Sequence, residues 1–170
     1  MQNAQASPMF VLPVPKDNGY FMLLCQNQQK SFVCTYLEDF KKNPLGANPY
    51  LVLTLFDELV RVKQLALLRG DVIFQMTQDE GAVVMNQLLD SYLIDSEYEK
   101  VRQFNHDPHR FDFVKHTEEA LRMFQSKLDQ RKSERKLQAQ KTLGPQKHSK
   151  PGSAMIPGQT EHFIIDEIKK

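Results

Sequence analysis

The 170-residue chain has no tryptophan, seven glycines, and only two cysteines, Cys25 and Cys34. Two cysteines cannot build a disulfide framework of the kind that staples small secreted domains. If the polar stretch Gln26-Asn27-Gln28-Gln29 is the turn of a hairpin, Cys25 falls opposite Lys30 and Cys34 opposite Phe21. That places the two sulfurs too far apart for a bridge and predicts two buried free thiols. Apolar runs are short as well. None reaches the roughly 18–20 residues that a bilayer-spanning helix needs, so no membrane insertion is expected. The first eight residues carry no Arg, no Lys and no apolar stretch, and neither a secretory signal nor a transit peptide is legible in them.

Catalytic signatures are missing too. Gly70, Gly81 and Gly144 stand alone, with no phosphate-cradling glycine loop and no Gly-Lys-Ser/Thr, and no Gly-x-Ser-x-Gly marks a nucleophile elbow. His106-Asp107-Pro108-His109 offers two imidazoles and a carboxylate, but zinc needs three or four converging ligands and neither cysteine stands at finger spacing. Arg69-Gly70-Asp71 spells an adhesion tripeptide between two strand-like runs, where it reads as coincidence. The paired acids Asp57-Glu58 and Glu118-Glu119 read as helix caps and solvated faces. No enzymatic activity, no metal and no cofactor are expected.

What the chain has is a core and an uneven charge. Of its residues 41% are hydrophobic and 25% charged, with eleven Phe and five Tyr, enough for one domain of ordinary size. Residues 1–130 hold 13 basic and 17 acidic side chains, whereas residues 131–151 hold seven basic side chains and Glu134 alone. The mildly acidic body has no footprint for nucleic acid, and the basic stretch lacks the aromatics on which bases stack. A partly apolar segment, residues 162–170, follows with Phe163, Ile164, Ile165 and Ile168.

The first half reads as short strands between turns. Residues 9–14 form a strand stopped by Pro13 and Pro15, and Lys16-Asp17-Asn18-Gly19 is a turn. Residues 20–25 are apolar throughout, as in a strand covered on both faces, and residues 30–36 are its hairpin partner. A helical turn or two over residues 37–43 precedes a buried strand at 50–56, and Asp57 could cap a single turn after it. Residues 65–69 and 72–76 flank Gly70, which predicts a bulge or bend. From Thr77 the period changes to 3.6. Thr77-Gln78-Asp79-Glu80 is a capping box, and Ala82, Met85, Leu88, Leu89 and Tyr92 form the apolar stripe of a helix ending near Leu93. A second helix covers residues 95–104, and a third begins near Asp112 with Val114, Leu121, Phe124 and Leu128 inward. The pattern then fails.

These readings predict an α+β fold: a mainly antiparallel sheet of about five or six strands packed with two to four helices, plus a disordered basic C-terminal tail. The expected divisions are a flexible N-terminus at 1–8, one domain at 9–130 and a polar extension at 131–170.

Three stretches together resemble one family. They are Pro13-Val14-Pro15-Lys16-Asp17-Asn18-Gly19-Tyr20, then Leu55-Phe56-Asp57-Glu58-Leu59 with Leu65-Ala66-Leu67-Leu68-Arg69-Gly70-Asp71-Val72, and finally Phe104-Asn105-His106-Asp107-Pro108-His109-Arg110-Phe111. Their order and spacing resemble the mitochondrial ATP synthase F1 assembly factors that chaperone the β subunit, over roughly residues 9–115. The resemblance implies a non-catalytic chaperone in the mitochondrial matrix that holds free β subunit until α displaces it. Such a protein covers an apolar surface that would otherwise aggregate.

Phe104, Asn105, Pro108 and Phe111 are the candidate partner-binding residues. Aromatics in such a loop either pin it to the domain's own core or anchor a partner. We expect a monomer with no nucleic-acid partner. The alternative is a non-catalytic adaptor for another protein.

Overall fold

The computed structural model describes residues 2–142 and 161–166. In chain order its elements are α1 (Gln2–Ala6), β1 (Met9–Lys16), β2 (Gly19–Gln28), β3 (Ser31–Tyr36), α2 (Leu37–Lys42), β4 (Pro49–Phe56), α3 (Val60–Lys63), β5 (Leu65–Val72), α4 (Gln78–Leu93), α5 (Asp95–His106), α6 (Phe113–Thr142) and β6 (Glu161–Asp166). Strands β1–β5 form an antiparallel meander in sequence order, and β6 adds to the outer edge of β5. The expected α+β architecture is present, with three long helices and three short ones among the described residues.

The three long helices cover one face of the sheet. Phe10, Leu12, Leu23, Leu51, Leu53 and Leu68 point there and meet Val84, Met85, Leu88 and Phe124 in the main core. On the opposite face Val11, Met22 and Leu24 form a smaller cluster with Leu37 and Phe40 of α2. This two-sided burial is why β2 is apolar at successive positions. The capping box forms as expected, since Thr77 Oγ1 accepts from Glu80 N–H at 3.2 Å and the Glu80 carboxylate accepts from Thr77 N–H at 2.7 Å.

Several local expectations are overturned. Strand β1 runs through Pro13 and Pro15 to Lys16 instead of stopping at them. Asn27 N–H donates to the Pro8 carbonyl at 2.7 Å, which makes the even-numbered residues of β1 the ones bonded to β2. Pro13 and Pro15 therefore face outward on an edge strand, where a missing N–H breaks no ladder bond. Gly70 lies inside a continuous strand with no bend, and the register shift falls between Cys34 and Thr35. A side chain at Gly70 would stand 3.3 Å from Leu53 Cδ2, so close packing is what that position requires. Arg69 and Asp71 bind each other at 2.8 Å along the strand, and Asp57 pairs with Lys30 instead of capping α3.

The β2–β3 turn is tighter than expected. β2 continues through Gln26, Asn27 and Gln28, and the turn is Gln29-Lys30 alone, with Gln29 at φ 60°. Cys25 consequently lies directly opposite Cys34.

Both ends of the expected domain are more ordered than their composition suggests. In place of a flexible lead-in, α1 docks on the body: Ala4 is buried, Asn3 Nδ2 donates to the Tyr92 carbonyl at 3.0 Å, and Tyr92 Oη donates to the Ser7 carbonyl at 2.8 Å. Helix α6 runs past Gln130 to Thr142, where Arg131 and Arg135 reach Asp79 of α4 at 3.4 and 3.1 Å. The rest of the expected disordered tail, apart from β6, lies outside the described residues.

At Gly81 a Cβ would come within 2.3 Å of Val72 Cγ2, so α4 approaches β5 more closely than any other residue permits. Gly81→Ala adds about 1 kcal/mol of helix propensity but overpacks the contact at a cost of about 1–3 kcal/mol. We expect a lower thermal midpoint for Gly81→Ala and partial recovery when Val72→Ala is added. A Gly81→Ala chain more stable than the parent would show that the contact yields freely.

Candidate functional site

The outward backbone groups of edge strand β1 are met by side chains from two helices. Asn105, near the end of α5, accepts from Met9 N–H at 3.1 Å and donates to the Met9 carbonyl at 2.6 Å, copying a neighbouring strand. The same amide donates to the Val101 carbonyl at 2.8 Å. One turn into α6, His116 Nε2 donates to the Val11 carbonyl at 2.9 Å, which fixes the proton on that nitrogen. Beyond Val11 come the two prolines. Along the outward side of β1, both Met9 groups and the Val11 carbonyl are thus bonded and Pro13 and Pro15 lack a donor, which leaves the edge less able to pair with a foreign strand.

The same contacts place the predicted site residues. Phe104 and Phe111 stand edge-on to Phe10 at 6.0 and 6.2 Å and to each other at 5.3 Å, half-buried where the two clusters meet. Pro108 is exposed at the loop tip, and Asn105 is the strand-like clamp. Phe104, Asn105 and Phe111 come together in space, with Pro108 beyond them. Downstream, Asp112 Oδ1 accepts from Lys115 N–H at 2.9 Å and starts α6.

Helices α5 and α6 both pack on α4, and a groove opens between them. Its inner part is a cavity of about 300 Å³ with Leu12 of β1, Gln87 and Ile94 from α4 and its end, and Ala120 and Met123 from α6. An outer cavity of about 400 Å³ extends towards Arg110, Phe111 and Lys115. Lys100, His116 and Glu119 line both. Lys100 Nζ spans the groove, 2.9 Å from Glu97 on its own helix and 3.2 Å from Glu119 on α6. This ion pair keeps the Glu119 carboxyl below its usual range. Ile94 and Met123 are exposed apolar side chains lining the groove, while Phe113 and Val114, also exposed, line neither cavity.

Gln87 is the residue that sequence reasoning missed. It is 3% exposed, its Nε2 donates to the Ala120 carbonyl at 2.9 Å, and its Oε1, among the described residues, is a buried polar atom without a partner. An orphan acceptor of this kind costs about 1–3 kcal/mol unless something donates to it. The available signal was a glutamine one turn after Val83 on the inward face of an otherwise apolar helix.

His106 Nε2 is engaged with the Ala6 carbonyl at 2.9 Å, and no group of His, Cys, Asp or Glu among the described residues is placed to hold a metal ion. No described helix is long and apolar enough to cross a membrane.

His116 makes the groove wall sensitive to pH. Burial holds its imidazole below the ordinary value and Lys100 adds to the effect, against the Val11 hydrogen bond and the carboxylates of Glu97 and Glu119. The unfolded chain therefore takes up a proton near pH 6.5 that the folded chain refuses, and stability falls as pH drops below about 7. His116→Gln, which can still donate to Val11, should show a shallower loss of thermal midpoint between pH 7 and 5. Identical slopes would mean that the imidazole titrates freely.

The chain matches the family described as ATP11 protein over residues 1–116, from α1 through β1–β5, α4 and α5 to His116 at the start of α6. No curated protein matches it. The matched stretch contains all four predicted site residues and Gln87. The chain belongs to the ATP11 family, the ATP synthase F1 assembly factors.

Proposed function

We propose that the chain captures the unassembled F1 β subunit in the mitochondrial matrix and shields its α-facing surface in the α5–α6 groove until α displaces it. Membership of the assembly-factor family supplies the chaperone class and the link to ATP synthase. The observation that carries the binding surface is the pair of exposed apolar side chains Ile94 and Met123 lining a groove with an unpaired acceptor at its floor. In this reading Pro108 and the outer edge of Phe111 meet the client, while Phe104 and Asn105 hold the loop against β1.

The thermodynamics suit a transient chaperone. A limited apolar groove gives an interface small enough to be exchanged, whereas the obligate α–β contact of the finished assembly buries far more apolar surface. Displacement then needs no ATP.

Two variants separate capture from folding. Met123→Glu puts a charge on an exposed position, so its thermal midpoint should stay within a degree or two of the parent. Capture of purified β subunit should weaken tenfold or more, equivalent to about 1.4 kcal/mol. Phe111→Ala removes a ring packed on Phe10, Phe104 and His116 and should cost about 2 kcal/mol of stability as well. If Met123→Glu binds β like the parent, the groove is not the capture surface. If the parent chain ignores β but retains another protein, the adaptor reading replaces this one.

A further inference from the structure

We propose that Cys25 and Cys34 form a reversible disulfide across β2 and β3, making this pair a covalent modification site set by a disulfide-class oxidant such as oxidised glutathione. The inference is independent of the groove and of the client.

Register comes first. Cys25 is the direct cross-strand partner of Cys34, and a two-residue turn closes the hairpin at Gln28 and Ser31. The bond from Asn27 N–H to the Pro8 carbonyl turns the backbone groups of odd-numbered β2 residues towards β1. Cys25 is one of these, so it makes no ladder bond with β3, and the pair is of the non-hydrogen-bonded type. In that type the Cα atoms approach to about 4.5 Å and the side chains stand closest. A disulfide spans about 4.4–6.8 Å between Cα atoms, so the strands need no rearrangement to accept one.

Burial then decides when the bond can form. Both thiols are free and 0% exposed, in the same core cluster as Leu23, Phe32 and Tyr92. The hydrogen bond between the two thiols and their burial push Cys25 well above the usual thiol range. Thiolate is the attacking species, so the closed sheet reacts slowly. Reaction belongs to the moment before the core closes, or to openings of the β2–β3 hairpin. Once formed, the bond is sheltered from reductant by the same packing.

The chemistry balances with one oxidised glutathione. The Cys34 thiolate attacks its S–S bond, giving a mixed disulfide on Cys34 and one glutathione thiolate, which takes the proton Cys34 gave up. Cys25, deprotonated in turn, attacks the Cys34 sulfur and expels the second glutathione, which takes the second proton. Two protein S–H bonds and one glutathione S–S bond are lost. One protein S–S bond and two glutathione S–H bonds are made. A closed ring linking β2 to β3 also restricts the unfolded chain, so the oxidised protein should melt a few degrees higher.

The test refolds the full reduced chain in a buffer of oxidised and reduced glutathione, blocks remaining thiols, and maps peptides by mass. The expected product is lighter by two hydrogens, yields a peptide joining Cys25 to Cys34, keeps the native far-ultraviolet dichroism and melts higher. The same buffer should oxidise the folded chain more slowly, and sub-denaturing urea should speed that reaction. Glutathione adducts without a joined peptide, or a joined chain with altered dichroism, would overturn the proposal. Cys34→Ala serves as the control, in which Cys25 can give only a glutathione adduct.

Discussion

Closure of the β1 edge is the constraint on which the rest of the molecule depends. A meander of five antiparallel strands leaves two edges, and an edge with free N–H and carbonyl groups pairs with whatever strand it meets. Here the β1 edge is met by Asn105 from α5 and His116 from α6, and Pro13 and Pro15 remove two donors further along. These bonds do two things at once. They block edge pairing, and they fix where α5 and α6 sit relative to the sheet. The opposite edge, β5, is paired with β6.

Pinning two helices to successive points of one strand has a structural consequence. Each packs on α4, but neither fills the space between them, and the groove with Leu12 at its floor results. Lys100 bridges it through Glu97 and Glu119, an ion pair at a partly exposed site that contributes little to stability. Gln87 lies beneath with one amide oxygen that has no partner among the described residues. Ile94 and Met123 stand exposed beside that acceptor, and the proposed client contact is built on them. The proposed capture role would use this groove as the one apolar surface offered to a client by a fold that keeps its own strands closed.

Much of this was legible in the sequence where physics is local. The capping box at Thr77, the stripe through Met85 and Tyr92, the turn at Asp17-Asn18 and the two-sided burial of β2 all follow from nearest-neighbour chemistry. Residues whose meaning depends on a distant partner were misread or missed. Pro13 and Pro15 looked like a strand end because nothing local says that β1 is an edge. Gly70 looked like a bend because its neighbour Leu53 is seventeen positions away. The Cys25–Cys34 pairing turned on the length of one polar turn, and a two-residue difference moved both sulfurs into register. Helix α6 outlasted its apolar pattern because Lys, Arg, Gln and Ala favour helix without burial, and because Arg131 and Arg135 find Asp79. In the site, Asn105 was picked out by its motif but serves β1 directly, and Gln87 and His116 carried no motif at all.

The most direct measurement is amide hydrogen exchange of the full chain with and without purified β subunit. The account predicts slowed exchange confined to the end of α4, α5, the Pro108 loop and the first turns of α6, with β3–β5 unchanged. Protection centred on the open face of β3–β5, or no protection anywhere at saturating β subunit, would contradict it.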